Sequence, residues 1–511
     1  MKINLNLFFG FLFFLSSTVL QAQEIRTDTL QPYIERLMQE LEVPGMSVAI
    51  VKDGEIIYSE AFGTKTIGEK DPVDVNTLFG IGSISKSITA LALGILVDEG
   101  KLEWDDKVRD HLPYFELYDP YVSSSFSIRD LLTHRSGLTS VSGGLLWYDT
   151  PLDKEEVVRR MKYLKPVGEF RGNPAYQNIT YVVAGVIIEK ISGQSWDDFV
   201  KERIFEPLGM QHTRSLYSDI TGSANVSTPH TKSPDWKLLP IKHRNHDNLG
   251  PAGGIYSTSE DMAQYMKLML NEGVFEGDTI VSRKVVQEIL KPQIFFQLFP
   301  EPIHNEFTAY GFGWWLTPVA GHKVVEHSGG VDGMVANLKM ITDQGFGIVA
   351  LSNAEESATT ALTLNVLGDA LDKEEDYGKF AQRIVSNRKT RKARFLEQQE
   401  KLLQQQIKGT DPPEEELLLG TYSEEMYGKI LVRKNAKGKL ELAFSMTPAF
   451  TGELSHWHHN MYRIDWYDPM VPSGFVSFIL DPEGKVKEME LDQPQLLDVD
   501  FEELGVIRKV E

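Results

Sequence analysis

The sequence predicts an α/β (α+β) fold. One antiparallel sheet is drawn from both ends of a long first domain, a helical region is inserted between those strands, and a small all-β domain follows. Three observations carry this expectation. Strand-like apolar runs occur at Met46–Val51 and again at Asn337–Ile341 and Gly347–Leu351, with helical patterns and Gly- and Pro-rich loops between them. Residues 372–408 turn charged and Gln-rich with few apolar anchors. From Leu417 onward short alternating runs and turn signals dominate.

At 511 residues the chain is too long for one ordinary domain. The expected units are a signal peptide at 1–22, a first domain at 28–370, a charged helical linker at 371–414 and a β-rich domain at 415–511. Lys2 supplies a positive start, Leu7–Leu15 an apolar core, and Leu20-Gln21-Ala22 a small residue at a cleavage site. The apolar run is short and is broken by Ser16, Ser17 and Thr18, which favours cleavage over a membrane anchor. Residues 28–42 read as an amphipathic helix, and Met46–Val51 and Glu55–Tyr58 as a hairpin around Asp53-Gly54. Further on, Lys429–Val432, Lys439–Leu442 and Gly474–Phe478 read as strands of the terminal unit, where Trp457 and Trp466 are expected in its core.

The net charge of −21 argues against nucleic acid and anionic membranes as partners. With no cysteine, disulfides, thiolate catalysis, cysteine metal sites and a lipidated N-terminal cysteine are excluded. The twelve histidines include no His-Glu-x-x-His pattern, so neither a metal nor another cofactor is expected. The expected product is a soluble exported protein without a stable membrane span, most simply periplasmic, acting on a small-molecule or short-peptide substrate. Its oligomeric state is left open.

Ser83-Ile84-Ser85-Lys86 is the most informative segment. Ile84, Ile88, Leu91 and Ile95 recur at helical spacing, so Lys86 should lie one turn beyond Ser83 on the same face. An ammonium there lowers the hydroxyl pKa or moves its proton, and the helix start offers N–H groups to a developing oxyanion. Serine at a helix start is also a common N-cap, and a second Ser-x-x-Lys at Ser386–Lys389 sits in a charged stretch without companions. Context favours Ser83: Phe79-Gly80-Ile81-Gly82 precedes it and permits close backbone approach.

Two further segments suit the same chemistry. Tyr176-Gln177-Asn178 precedes the helical run 181–188, and Tyr176 is the one tyrosine with Asn two places on. Its phenol, held near Lys86, is a candidate base with a depressed pKa, and Asn178 a candidate donor to a substrate carbonyl that also bonds Lys86. Glu326-His327-Ser328-Gly329-Gly330 offers small residues along which a substrate can lie. The Gly330 N–H is a partner for that of Ser83, and His327 can assist proton transfer or meet a substrate carboxylate. His134 and Arg135 read as loop braces, while Gly253 and Gly254 are candidate pocket-lining residues.

Ser-x-x-Lys, Tyr-x-Asn and His-x-Gly, in that order over residues 30–370, resemble the serine β-lactamase and penicillin-binding-protein superfamily, in particular its class C-like branch of D-aminopeptidases, D-Ala-D-Ala carboxypeptidases and esterases. The resemblance implies a β-lactamase/transpeptidase-like fold, with Ser83 the acylated nucleophile, Lys86 its activator and Tyr176 base or proton relay. By the same resemblance Asn178, His327, Ser328, Gly329 and Gly330 bind substrate. The chain departs from the Lys-Thr-Gly of many β-lactamases, since a histidine is mostly neutral at pH 7 where lysine is charged. That shifts the expectation from efficient antibiotic hydrolysis toward an acyl-enzyme hydrolase of amide, peptide or ester bonds in D-amino-acid peptide, β-lactam-like or small ester substrates. The competing expectation is a non-catalytic binder of cell-wall fragments on the same scaffold.

Overall fold

The computed structural model describes residues 26–296 and 307–510; the expected signal peptide lies outside them. Eight strands build one antiparallel sheet: β1 (Gly45–Lys52), β2 (Glu55–Gly63), β3 (Ile294–Phe296), β4 (Thr308–Tyr310), β5 (Trp315–Val319), β6 (His322–Val331), β7 (Met334–Ile341) and β8 (Phe346–Ser352). Their order is β2-β1-β8-β7-β6-β5-β4-β3. β1 and β8 pair from Met46↔Ser352 to Lys52↔Phe346, so the two ends of the domain meet in mid-sheet, as expected. Asp53 and Gly54 turn the first hairpin with φ of 50° and 84°, the left-handed region that a tight hairpin demands.

Both faces of this sheet are covered. Val48 and Ile50 join a core with α1 (Leu30–Leu41), whereas Ala49 and Val51 point into the larger core of the helical region. This is the period-two alternation of a strand between two layers. The larger core centres on α2 (Ser85–Asp98), whose residues from Ser85 to Leu96 are all buried. Against it lie α3 (Ile179–Ser192) and the turn Gly250–Gly253. The helix α4 (Ser259–Leu270) packs on β1 and β8, and α5 (Ala358–Ala370) covers the opposite face with α1.

The charged stretch is a helix of 31 residues, α6 (Glu374–Gln404), laid against α5. Here the structure departs from the reading of few apolar anchors. Tyr377, Phe380, Ala381, Ile384 and Val385 pack into the α1–α5 core. They cluster in its first three turns, and polar residues further along outweigh them in composition. Beyond it, β9 (Gly420–Glu424), β10 (Gly428–Lys434), β11 (Leu440–Phe444), β12 (Thr451–His458), β13 (Met461–Trp466), β14 (Gly474–Leu480), β15 (Val486–Asp492) and β16 (Ile507–Lys509) close into a barrel. Trp466 is buried in its core, whereas Trp457 is buried against Phe475 outside that core. The barrel docks on the helical region: Tyr148 stacks on Phe450 with ring centroids 5.5 Å apart, and Arg244 pairs with both Asp332 and Asp468.

Candidate active site

Ser83 stands in a short 3-10 turn, Gly82–Ile84, directly ahead of α2. The turn is pinned at Ile81, whose N–H donates to the Ile255 carbonyl at 2.9 Å. Gly82 has φ +50°, and a Cβ there would crowd the Gly330 backbone, at 2.7 Å from its carbonyl oxygen. A Cβ on Gly329 would in turn collide with the Ile81 carbonyl and lie 3.0 Å from the Ser83 nitrogen. The two glycines therefore let β6 and the Ser83 turn touch backbone to backbone.

The third motif lies where β6 loses one of its two neighbours. β5 pairs with β6 only as far as Trp315↔Glu326, while β7 continues along it to Val331↔Met334. His327 to Val331 thus overrun β5, and among the described residues no strand covers that edge. Ser83 faces it. The Ser83 and Gly330 amides are brought together by this contact, which suits them to one oxyanion.

Lys86 is fully buried, one helical turn from Ser83. Its Nζ lies 3.1 Å from Ser83 Oγ and donates to Asn178 Oδ1 at 2.6 Å and to the Ala252 carbonyl at 2.8 Å. Burial pulls its pKa from 10.5 down to about 7, with the Asp498 carboxylate opposing the shift. Two acceptors that can only accept hold two N–H groups. The third tetrahedral position then points at Ser83, donating as ammonium or receiving the hydroxyl proton as amine.

Tyr176 flanks this pair, with Lys86 Nζ 4.8 Å from its ring centroid. Part of the ring stays exposed, but its hydroxyl is enclosed and makes no full hydrogen bond among the described residues. Burial holds that phenol well above its ordinary pKa of 10, and the neighbouring Ser83 side chain only partly offsets it. The depressed phenol pKa expected from the sequence is thus reversed by burial of the hydroxyl, with Lys86 lying over the ring face.

His327 also departs from expectation. It is 2% exposed, and burial followed by the Lys86 charge lowers its pKa from 6.5 to about 3. Its Nδ1 is 2.6 Å from the Ser328 carbonyl and its Nε2 3.1 Å from the Tyr310 hydroxyl. Neither nitrogen is left to meet a substrate carboxylate. His134 is likewise buried and held neutral; its Nδ1 receives the Gln177 N–H at 3.0 Å, next to Tyr176, and Arg135 pairs with Asp130 at 2.9 Å. Both act as the loop braces expected of them.

Asn178 stands at the start of α3 without capping it, and its Nδ2 donates to Asp498 Oδ2 at 2.9 Å. One of the two N–H groups of this amide is therefore engaged by the C-terminal domain. The cleft in front of Ser83 is lined by Trp147, Tyr148, Gly253, Gly330, Asp332 and Asp498, among others. Gly253 lines it as expected, whereas Gly254 packs against Gly250 and the His246 carbonyl. Sequence reasoning missed Tyr310, the Ala252 carbonyl and Asp498. None carries a local motif, and Asp498 lies more than three hundred residues from the serine it neighbours. No cluster of three metal-ligating side chains occurs among the described residues.

A family profile described as Beta-lactamase matches residues 30–371, and another, a domain of unknown function (DUF3471), matches residues 406–506. The chain is 31% identical to penicillin-binding protein 4* of Bacillus subtilis over 64% of this chain and 72% of that one. It is 27% identical to an unguisins hydrolase of Aspergillus campestris over 67% of this chain and 65% of the relative, under two thirds of that relative's length. Among solved structures it resembles the octameric penicillin-binding protein homologue from Pyrococcus abyssi, with a TM-score of 0.61, 25% identity, and coverage of 95% of this chain and 100% of that one.

Proposed function

The chain belongs to the beta-lactamase family of serine hydrolases, and from that premise we propose that it cleaves amide, peptide or ester bonds through an acyl-enzyme on Ser83. One observation carries the reading. Lys86, buried and with its pKa drawn to about 7, is fixed by two carbonyl oxygens so that its remaining position meets Ser83 Oγ at 3.1 Å.

In the proposed cycle the Lys86 amine takes the Ser83 proton as Oγ bonds to the substrate carbonyl carbon. The oxyanion is received by the Ser83 and Gly330 N–H groups. Collapse breaks the C–N or C–O bond, and the leaving group takes the proton back from Lys86, with the Tyr176 hydroxyl as relay. Water then enters by the same base and releases the acyl group. This ordering makes Lys86 the resting base, because the Tyr176 phenol is held in its neutral form. Favoured substrates are D-amino-acid peptides and small esters whose acyl part needs no cation in the site. We further infer export to the periplasm after cleavage behind Ala22, from the N-terminal pattern; N-terminal sequencing of the mature protein checks it.

Intact-protein mass spectrometry after a fluorophosphonate probe tests the reaction. An adduct on the wild type that vanishes in Ser83→Ala is expected. A folded wild-type protein that takes no adduct would instead support a binding module on the hydrolase scaffold.

A further inference from the structure

The C-terminal barrel reaches into the site. Between β15 and β16 the chain passes through a loop whose Leu497 and Asp498 line the cleft beside Ser83. That loop is braced from both sides. On the barrel, Trp466 Nε1 donates to Gln493 Oε1 at 2.9 Å, and Gln493 Nε2 donates to the Pro472 carbonyl at 2.6 Å. On the first domain, a Cβ on Gly144 would collide with the Asp498 carbonyl and the Gly143 N–H donates to the Glu503 carboxyl at 2.9 Å. Asp498 is held in place.

Its Oδ2 accepts from Asn178 Nδ2 at 2.9 Å, while the other end of the same amide, Oδ1, accepts from Lys86 at 2.6 Å. An Asn178 flip would set N–H against N–H on one side and oxygen against carboxylate on the other. Ser83, Lys86, Asn178 and Asp498 therefore form one directional chain of hydrogen bonds, its last member coming from a separate domain.

We propose that Asp498 is a positioning residue of the hydrolase site, supplied by the C-terminal barrel. It orients the Asn178 amide, through it aims Lys86 at Ser83, and stabilises the ammonium formed when Lys86 takes the serine proton. This role rests on the assignment of Ser83 and Lys86 above. The proton stays on Lys86 until the leaving group takes it; burial raises the Asp498 pKa, while the Lys86 charge and the Asn178 N–H favour its carboxylate form.

The surroundings leave this task to Asp498. His134 and His327 face Lys86 from the loop after the helical turn Ile128–Leu132 and from β6, and burial holds both neutral. Tyr176 and Tyr181 lie under its Nζ with their phenols raised by burial, and Ala252 offers only a carbonyl. Asp332, also in the cleft, is tied to Arg244 and accepts from Tyr148 at 2.7 Å. Asp498 is the anion whose field raises the Lys86 pKa against desolvation.

The test follows Ser83 labelling by a fluorophosphonate as a function of pH in the full-length protein. Asp498→Asn keeps an acceptor but removes the charge, so Lys86 should lose its proton more readily. The acid limb of the rate profile should move down by roughly half a unit to one unit. Asp498→Ala should show the same displacement and a further drop of roughly ten-fold, from the loosened amide. Coincident profiles for wild type and Asp498→Asn would overturn the proposal. So would faster labelling at every pH without displacement of the limb, which would make the loop a plug. Wild-type protein that is not labelled at all would bring down the hydrolase assignment itself, and the positioning role with it.

Discussion

The Tyr310 hydroxyl donates to Nε2 of His327 at 3.1 Å, and that bond decides what the third motif offers a substrate. The Ser328 carbonyl, 2.6 Å from Nδ1, can only accept, so Nδ1 carries the ring proton and Nε2 is the acceptor. With its pKa near 3, His327 stays neutral at any pH where the protein would work. The charged groups lining the cleft are Asp332 and Asp498.

A carboxylate-bearing acylating agent should therefore react poorly. Benzylpenicillin is expected to label Ser83 about ten-fold more slowly than its neutral methyl ester, because the carboxylate finds no cation and meets Asp498. Mass spectrometry of the two time courses measures the ratio. A faster acid than ester would mean that some cation in the site receives the carboxylate.

Lys86 sets the pH dependence. Its folded pKa of about 7 lies below the ordinary 10.5, so the amine predominates above pH 7 and the ammonium below it. Labelling should rise with pH through about 7 and then level off. Lys86→Met should lower the plateau by roughly 10²–10⁴-fold, the usual contribution of a general base. A flat profile in the wild type would exclude Lys86 as the titrating base.

The contact between β6 and the Ser83 turn should be intolerant of any side chain. Gly329→Ala places a methyl group against the Ile81 carbonyl and 3.0 Å from the Ser83 nitrogen, where backbone has to give way. A stability loss of about 1–3 kcal/mol is expected, with labelling of Ser83 falling at least ten-fold as the oxyanion donors separate. Full activity in Gly329→Ala would show that the two amides need not be this close.

What the sequence revealed and what it hid differ in range. The Ser83 to Lys86 spacing, the 178 position ahead of a helix and the pairing of the two chain ends follow from local periodicity, which a helix or strand must obey. Tyr310 and Asp498 acquire meaning only through tertiary contact. Tyr310 belongs to a three-residue strand without a motif of its own, and Asp498 sits on a loop of another domain. The Tyr176 phenol departs from the expected depression for a related reason. The motifs imply that Lys86 lies near Tyr176, and it does, over the ring face; the fold buries the hydroxyl, and that burial raises the phenol pKa.

The seam between barrel and helical region should itself respond to pH, through Glu503. Burial lifts its carboxyl from 4.5 to about 7, although the Gly143 N–H, at 2.9 Å from one oxygen, favours the ionised form. A folded pKa above the unfolded one means that the native state binds the proton more tightly. The resulting stability is complete below about pH 4.5 and is lost as pH rises through about 7. Glu503→Gln keeps an acceptor for the Gly143 N–H but has no charge to bury. It should melt like wild type at pH 4.5, and at pH 8 it should be more stable by about 1–3 kcal/mol. Thermal unfolding of both proteins at the two pH values gives the comparison. Equal midpoints at pH 8 would mean that the Glu503 carboxylate is solvated after all, and that the barrel is held at this seam by Arg244 and the Tyr148–Phe450 stack instead.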